Sequence, residues 1–99
     1  MLSFEKILNV FASYLKKDNV VEVVMTQHGY TVMLWDHKQQ NWWQAEFCAT
    51  PEKMLELLLD SYGMYLEERL CSAKRDLTEA ERSEIEAAQR EMKARCERE

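Results

Sequence analysis

The sequence contains little of what most catalytic and metal-binding motifs require. It has two glycines, one proline and two histidines in 99 residues, and two glycines are too few for a phosphate-binding loop of the glycine-rich type. The three cysteines, Cys48, Cys71 and Cys96, are far apart, so no Cys-x-x-Cys pair predicts a zinc site or a thioredoxin-like site. These absences favour a protein that is not an enzyme and that uses no metal or cofactor.

Long apolar runs and a basic stripe are also missing. No stretch approaches the roughly 20 apolar residues of a membrane-spanning helix, and residues 1–6 lack the regions of a secretory signal. Three free thiols suit a reducing compartment, so we expect a cytoplasmic protein without a membrane partner. The formal net charge is −5, and a chain without a basic patch is not expected to bind nucleic acid directly.

The spacing of the apolar residues predicts a single α+β domain over residues 1–99, in the order helix, three strands, two helices. Ser3 is a suitable N-cap for a first helix over residues 4–16, whose apolar residues follow helical spacing. Three runs rich in β-branched and aromatic residues follow: Val20–Thr26, Tyr30–Asp36 and Trp42–Cys48. Because short connections separate these runs, they are expected to form an antiparallel three-stranded meander.

Two further helices complete the predicted domain. Thr50 and Pro51 mark the start of the second helix, which extends to about Cys71 and packs with the first helix on one face of the sheet. Gly63 in its interior indicates either a close helix crossing or a kink. Residues 1–71 then form a compact core, and a charged helix within residues 77–99 is appended to it. The capping-box pattern of Thr78 and Glu81 marks the start of this third helix.

Alternation along the strands predicts which side chains face the helices. Trp42 and Trp43 are neighbours on one strand, so their indoles point to opposite faces of the sheet. If Glu22, Gln44 and Glu46 face solvent, the core side carries Val21, Val23, Met25, Trp43, Ala45 and Phe47. The other side then carries Val20, Val24, Met33, Trp35 and Trp42, although a one-residue slip in the second strand would exchange its set.

Two surfaces are candidates for partner binding. The first is acidic: Glu52, Glu56 and Asp60 repeat every four residues on the second helix, and more carboxylates surround the start of the third helix, at Asp76, Glu79, Glu81, Glu84 and Glu86. This surface either meets a basic groove or is a solvated face that keeps the chain soluble. The second is apolar and contains Met33, Trp35 and Trp42. Its cover is expected to be the third helix, a second copy of the chain or a foreign partner.

The order helix, three strands, helix over residues 3–71 resembles the double-stranded-RNA-binding domain. That family contacts RNA through a basic cluster at the start of its second helix. The corresponding segment here, Thr50–Glu56, has one lysine and two glutamates, which removes the electrostatic contact that RNA binding needs. A shared topology would therefore not imply a shared function.

With the third helix added, the element order and the acidity resemble small phage anti-CRISPR proteins that mimic DNA. Those proteins present carboxylates in place of DNA phosphates to the groove of a Cas nuclease. The resemblance covers the whole chain in topology and charge and matches no motif residue by residue. It implies a non-enzymatic inhibitor that binds a nucleic-acid-binding protein through the acidic residues. The alternative is a self-associating structural or regulatory protein with the Trp/Met-rich sheet face as its homodimer interface.

Overall fold

A helix, three strands and two helices follow one another in the computed structural model, which describes residues 2–70 and 76–98. The elements are α1 (Phe4–Lys17), β1 (Val21–Thr26), β2 (Gly29–Asp36), β3 (Asn41–Cys48), α2 (Pro51–Leu70) and α3 (Glu79–Glu97). The strands form one antiparallel sheet in the order β1-β2-β3. The predicted α+β fold is confirmed. The predicted end of the second helix at Cys71 lies outside the described residues.

Side-chain caps start the helices where the sequence predicts them. Ser3 Oγ and Thr50 Oγ1 each accept a hydrogen bond from the amide nitrogen three residues later, at 3.1 and 3.2 Å. At α3 the capping box is complete: Thr78 Oγ1 accepts from the Glu81 amide at 3.1 Å, and the Glu81 carboxylate accepts from the Thr78 amide at 3.0 Å. These bonds satisfy amide groups that the first turn of a helix leaves unpaired.

Two short turns join the strands. In the first, Gly29 has a φ of 128°, a conformation that residues with a side chain rarely adopt. In the second, the Asp36 carboxylate accepts hydrogen bonds from the amides of Lys38 and Gln39, at 2.9 and 3.2 Å, and Gln40 has a φ of 57°. An aspartate that binds the amides two and three residues later stabilises such a turn. Both turns lie where the sequence predicts them.

A β-bulge near the start of β3 determines which side chains face the helices. Leu34 pairs with Gln44, but the next residue, Trp35, pairs with Trp42, so Trp43 is an extra residue without a partner in β2. An extra residue shifts the alternation of the strand by one position. Trp42 and Trp43 still point to opposite sides, as predicted, but Trp43 and Gln44 now lie on the same side, towards the helices.

The bulge corrects the predicted assignment of several strand residues. Strict alternation predicts that Ala45 and Phe47 face the core, but they face away from the helices, and Phe47 is 51% exposed. Gln44 and Glu46 are predicted to face solvent, but they lie on the helix side, half-buried, and Gln44 donates a hydrogen bond to Glu46 at 2.8 Å. Met25 is also wrongly assigned to the core: it is 72% exposed, because it lies at the end of β1 next to the first turn.

The core lies between the inner face of the sheet and all three helices. Its buried members come from α1 (Ile7, Phe11, Tyr14), the sheet (Val21, Val32, Leu34, Cys48), α2 (Met54, Leu55, Leu58) and α3 (Met92, Cys96). The buried residues of α3 are Ile85, Met92 and Cys96, whose helical spacing places them on one side of this otherwise charged helix. Since α3 packs against α1 and α2, it completes the core and does not cover the second face of the sheet.

Gly63 marks a close helix crossing and not a kink. The helix α2 is continuous through it, and a Cβ atom at this position would collide with Nε2 of Gln89 on α3. The same Nε2 donates a hydrogen bond to the Leu59 carbonyl oxygen at 2.9 Å. The missing side chain therefore makes room for a contact that holds α3 against α2.

Candidate functional site

The outer face of the sheet, on the side away from the helices, is largely apolar. Its large apolar side chains are Val24, Met33, Trp35, Trp42 and Phe47, with Trp35 paired to Trp42 and with Thr31 and Ala45 between the others; we call these five residues the aromatic face. Trp42 is 41% exposed and Phe47 is 51% exposed. The predicted apolar interface residues Met33, Trp35 and Trp42 therefore do lie together, and Phe47 is a member that the sequence reasoning assigned to the core.

Two aromatic contacts hold this face in shape. The rings of Trp35 and Trp42 pack edge to face, with centroids 4.9 Å apart and an interplanar angle of 75°. Phe47 lies over Gly29, where an added Cβ would be 3.3 Å from its Cε1 atom. Edge-to-face pairs are stabilising beyond the area that they bury, so each of the two indoles favours the observed orientation of the other.

The aromatic face carries little charge. The other outward-facing positions of the sheet are Glu22, Thr26, Thr31 and Ala45, of which Glu22 alone is ionised at neutral pH. Glu22 is exposed and lies across from Met33. The acidity of the chain is therefore located elsewhere.

The three carboxylates predicted to form a row on α2 are exposed. Glu52, Glu56 and Asp60 form a ridge along the helix, as the four-residue spacing predicts, and we call it the acidic ridge. No described residue forms a salt bridge or a hydrogen bond with these three carboxylates. The ridge is thus free to meet a cationic surface, and it is equally well solvated without one.

The acidic residues around the start of α3 are divided between different roles. Glu81 is part of the capping box and so is held by the helix itself. Glu79 and Glu84 are exposed on the first turns of α3, and Asp76 precedes them. Glu86 lines the same groove between α2 and α3 as Asp60, together with Arg82 and Glu67. The structure therefore joins Glu86 to the acidic ridge and places a compensating arginine beside it.

A cleft on the other side of β3 contains residues that the sequence reasoning missed. It has a volume of about 540 Å³ and lies between the end of the sheet and the second half of α2. Trp43 and Met64 line it and are 58% and 53% exposed, and the buried residues Val21 and Leu34 also line it. We call it the Trp43 cleft. Strict alternation predicts Trp43 to be a core residue; it does point towards the helices, but α2 does not cover it.

The polar groups around the Trp43 cleft are mostly engaged already. The two Asp18 carboxylate oxygens accept hydrogen bonds from the Tyr14 hydroxyl at 2.6 Å and from the Val20 amide at 3.0 Å. Burial and then the hydrogen bond to Asp18 raise the pKa of the Tyr14 hydroxyl well above its ordinary value. Arg69 donates to the Tyr65 hydroxyl at 3.1 Å and lies over the ring of the same tyrosine.

The groups that most often carry catalysis are dispersed. His28 and His37 are exposed turn residues, and no cluster of three or more metal-binding side chains occurs in the described residues. Cys48 and Cys96 are free and buried, and burial raises the pKa of both thiols, which lowers their reactivity as nucleophiles. The aromatic face, the acidic ridge and the Trp43 cleft are therefore the better candidates for function.

Comparison with known proteins identifies no relative of this chain. It matches no protein-family model, no curated protein and no solved structure. None of the described helices is long and apolar enough to span a membrane. The function of the chain must therefore be inferred from its own surfaces.

Proposed function

We propose that this protein is a non-enzymatic binding module whose aromatic face docks onto the same face of a second copy. The observation that carries the proposal is the Trp35–Trp42 pair with Phe47, held on a sheet face that none of the described helices covers. Two such sheets would pack face to face about 10 Å apart, with helices on the outside of the assembly. The buried free thiols Cys48 and Cys96 are in keeping with a cytoplasmic location for this dimer.

The distribution of charge favours a second copy as the occupant. The chain carries a net charge of −5, so two copies repel each other wherever their acidic surfaces meet. That repulsion is small on the outer face of the sheet, because Glu22 is the one carboxylate that shares this face with the aromatic face. A foreign partner selected by charge would instead approach the helical side of the molecule.

The size of the face sets the strength of the proposed dimer. Strands about 4.8 Å apart and up to eight residues long give a face of roughly 14 by 26 Å, or about 370 Å² per copy. Two such faces bury about 740 Å² in total, which is well below the roughly 1,200 Å² of stable specific interfaces and in the range of weak, transient ones. We therefore expect a weak, reversible dimer whose population depends on protein concentration.

Sedimentation equilibrium tests the dimer and its location. The wild type should dimerise at concentrations up to roughly 1 mM, at which a dimer held by only about 4 kcal/mol is substantially formed. Trp42→Ala removes about 60–100 Å² of exposed indole from each copy, or about 3–5 kcal/mol for the pair, so the dimer should weaken at least a hundredfold. Trp43→Ala, on the opposite side of the same strand, is the matched control and should dimerise normally.

A second variant distinguishes loss of the dimer from misfolding of Trp42→Ala. Phe47→Thr keeps a residue type that favours strands and should also weaken the dimer. Salt provides an independent measurement, because screening of the net charge should strengthen self-association. A wild type that stays monomeric at roughly 1 mM, or a dimer indifferent to both Trp42→Ala and Phe47→Thr, contradicts the proposal.

A second candidate function follows from the acidic ridge. Its carboxylates are exposed and have no partner among the described residues, which is the arrangement that an acidic inhibitor would present to a basic groove that normally binds nucleic acid. In this candidate the partner is a nucleic-acid-binding protein of the Cas nuclease type. The steering charge would come from the ridge with Glu86, supported by Glu79 and Glu84 on α3.

A cleavage assay tests the inhibitor hypothesis. A panel of guide-loaded Cas nucleases is assayed for DNA cleavage with and without the protein, at low and high salt. Inhibition should weaken steeply as salt rises and should be lost when all three ridge residues are changed to lysine. The matched control changes three other exposed carboxylates to lysine, Glu5, Glu91 and Glu97. Absence of inhibition across the panel, or equal loss in both triple variants, counts against it.

A further inference from the structure

We propose that the Trp43 cleft binds a small, uncharged aromatic molecule that carries one hydrogen-bonding group, of the chemical class of phenols and indoles. This inference is independent of the proposed dimer, because Trp42 and Trp43 point to opposite sides of β3. Loss of one activity would therefore leave the other intact.

The size and the walls of the cleft fit an aromatic ring. Its volume of about 540 Å³ is within the range of sites that hold small organic ligands. Trp43 and Met64 are among the few large apolar side chains that the structure leaves mostly exposed, and both line this one cleft. An indole and a thioether are both favourable contacts for a flat ring, the first by stacking and the second through its polarisable sulfur. A ring bound there would cover both side chains.

Ser61 supplies the polar contact. It is 6% exposed, lines the cleft and is the one buried polar residue in the described core. Its hydroxyl forms no hydrogen bond with any described residue, yet the oxygen is not sealed from solvent. A buried hydroxyl without a protein partner is unfavourable unless water or a ligand completes its bonding. A ligand with a hydroxyl or a ring N–H would do so.

The charges at the rim indicate that the ligand is neutral. Both Asp18 oxygens accept hydrogen bonds from the protein, and Arg69 is held by Tyr65. These bonds fix the two groups but leave their charges, so the rim carries two cations, Lys17 and Arg69, and two anions, Asp18 and Glu68, with no net charge. They give no preference for an anion or a cation, so the walls and Ser61 determine what binds.

The test is a titration of the full ¹⁵N-labelled chain with phenol, followed by two-dimensional NMR. Saturable shifts should appear at Ser61, Met64 and the Trp43 indole N–H, with a dissociation constant on the order of 1 mM for so small a probe. Toluene, which has the same ring without the hydroxyl, is the matched ligand. It should bind the same residues more weakly than phenol.

Three variants assign the contacts. Ser61→Ala should weaken phenol binding by roughly five- to tenfold and leave toluene binding unchanged. Trp43→Leu should weaken both ligands, while Trp42→Leu is the control on the other face and should weaken neither. If Trp43→Leu fails to fold, Met64→Lys at an exposed helix position should also block both ligands.

Several outcomes would overturn the proposal. These are the absence of saturable shifts, equal effects of the two tryptophan variants, and phenol binding that is unaffected by Ser61→Ala. A short tyrosine-containing peptide that binds more tightly than free phenol would also reject the assignment to a small molecule, because it would identify the cleft as a docking site for a partner chain.

Discussion

Replacement of Gly63 by alanine should have opposite effects on stability in two backgrounds. Gly63 is in the interior of α2, where glycine is about 1 kcal/mol less favourable than alanine. On helix propensity alone, Gly63→Ala should stabilise the fold. In the wild type, however, the new methyl group would collide with the Gln89 side-chain amide, which donates to the Leu59 carbonyl. The substitution therefore removes a contact between α2 and α3.

The sizes of the opposing energies determine whether Gly63→Ala stabilises or destabilises each background. In the wild type the gain of about 1 kcal/mol is opposed by the loss of one hydrogen bond, about 0.5–1.5 kcal/mol, and by crowding, about 1–3 kcal/mol when the neighbour cannot move. Gln89 is half-buried, so its terminal amide can turn away, and the expected net change is a loss of 0 to about 2 kcal/mol. In a Gln89→Ala background the obstacle is absent, and Gly63→Ala should stabilise by about 1 kcal/mol.

Urea unfolding of the four proteins in this cycle, followed by circular dichroism, measures the difference. The coupling between the two positions should be about 1–3 kcal/mol, because the effects of residues in direct contact are not additive. In thermal unfolding 1 kcal/mol corresponds to about 4–8 °C for a chain of this size. If Gly63→Ala stabilises the wild type as much as it stabilises the Gln89→Ala variant, the close crossing of α2 and α3 at Gly63 is wrong.

Three further predictions concern the core, a cap and pH. Phe11 is fully buried between the sheet and the helices, so Phe11→Ala should lower the free energy of unfolding by about 3–5 kcal/mol, measured by urea unfolding. Thr78→Ala removes half of the capping box of α3 and should lower it by about 1 kcal/mol, while Thr78→Ser should restore most of the loss. The pKa of Tyr14 is raised by burial and by its bond to Asp18. The folded state therefore holds this proton more tightly than the unfolded state, and stability should fall as the pH rises above about 10. Tyr14→Phe should reduce that alkaline loss, and an unchanged slope would show that Tyr14 ionises freely in the folded protein.

Features that depend on neighbouring residues could be predicted from the sequence. The N-caps Ser3, Thr50 and Thr78 are recognisable because a cap is a contact between a side chain and an amide three residues later. The turn at Gly29 is recognisable because few residues other than glycine adopt its backbone conformation. The acidic ridge follows from helical spacing in the same way. The order of helices and strands could therefore be predicted from the sequence.

Features that depend on pairing between distant segments could not be predicted from the sequence. The bulge at Trp43 is defined by which β2 residue each β3 residue meets, and strict alternation along β3 is the simplest assumption without that information. The single extra residue was enough to exchange Phe47 and Glu46 between the two faces. The exposure of Trp43 is harder still to predict from the sequence, because it depends on where α2 passes over the sheet. For the same reason, the path of α3 over α1 and α2 could not be derived from its own apolar stripe.

The bulge gives β3 an arrangement that burial alone would not favour. Strict alternation would place Phe47 under the helices and Glu46 in water, but the structure has Phe47 51% exposed and Glu46 half-buried. Glu46 is accommodated by a hydrogen bond from Gln44 at 2.8 Å and a salt bridge with Lys53 at 3.5 Å. Local departures from the pattern that best buries apolar residues concentrate at functional sites. Here the departure exchanges a carboxylate for a phenyl ring on the outer face of the sheet, and this exchange makes that face more apolar, which supports the proposal that it docks onto a second copy.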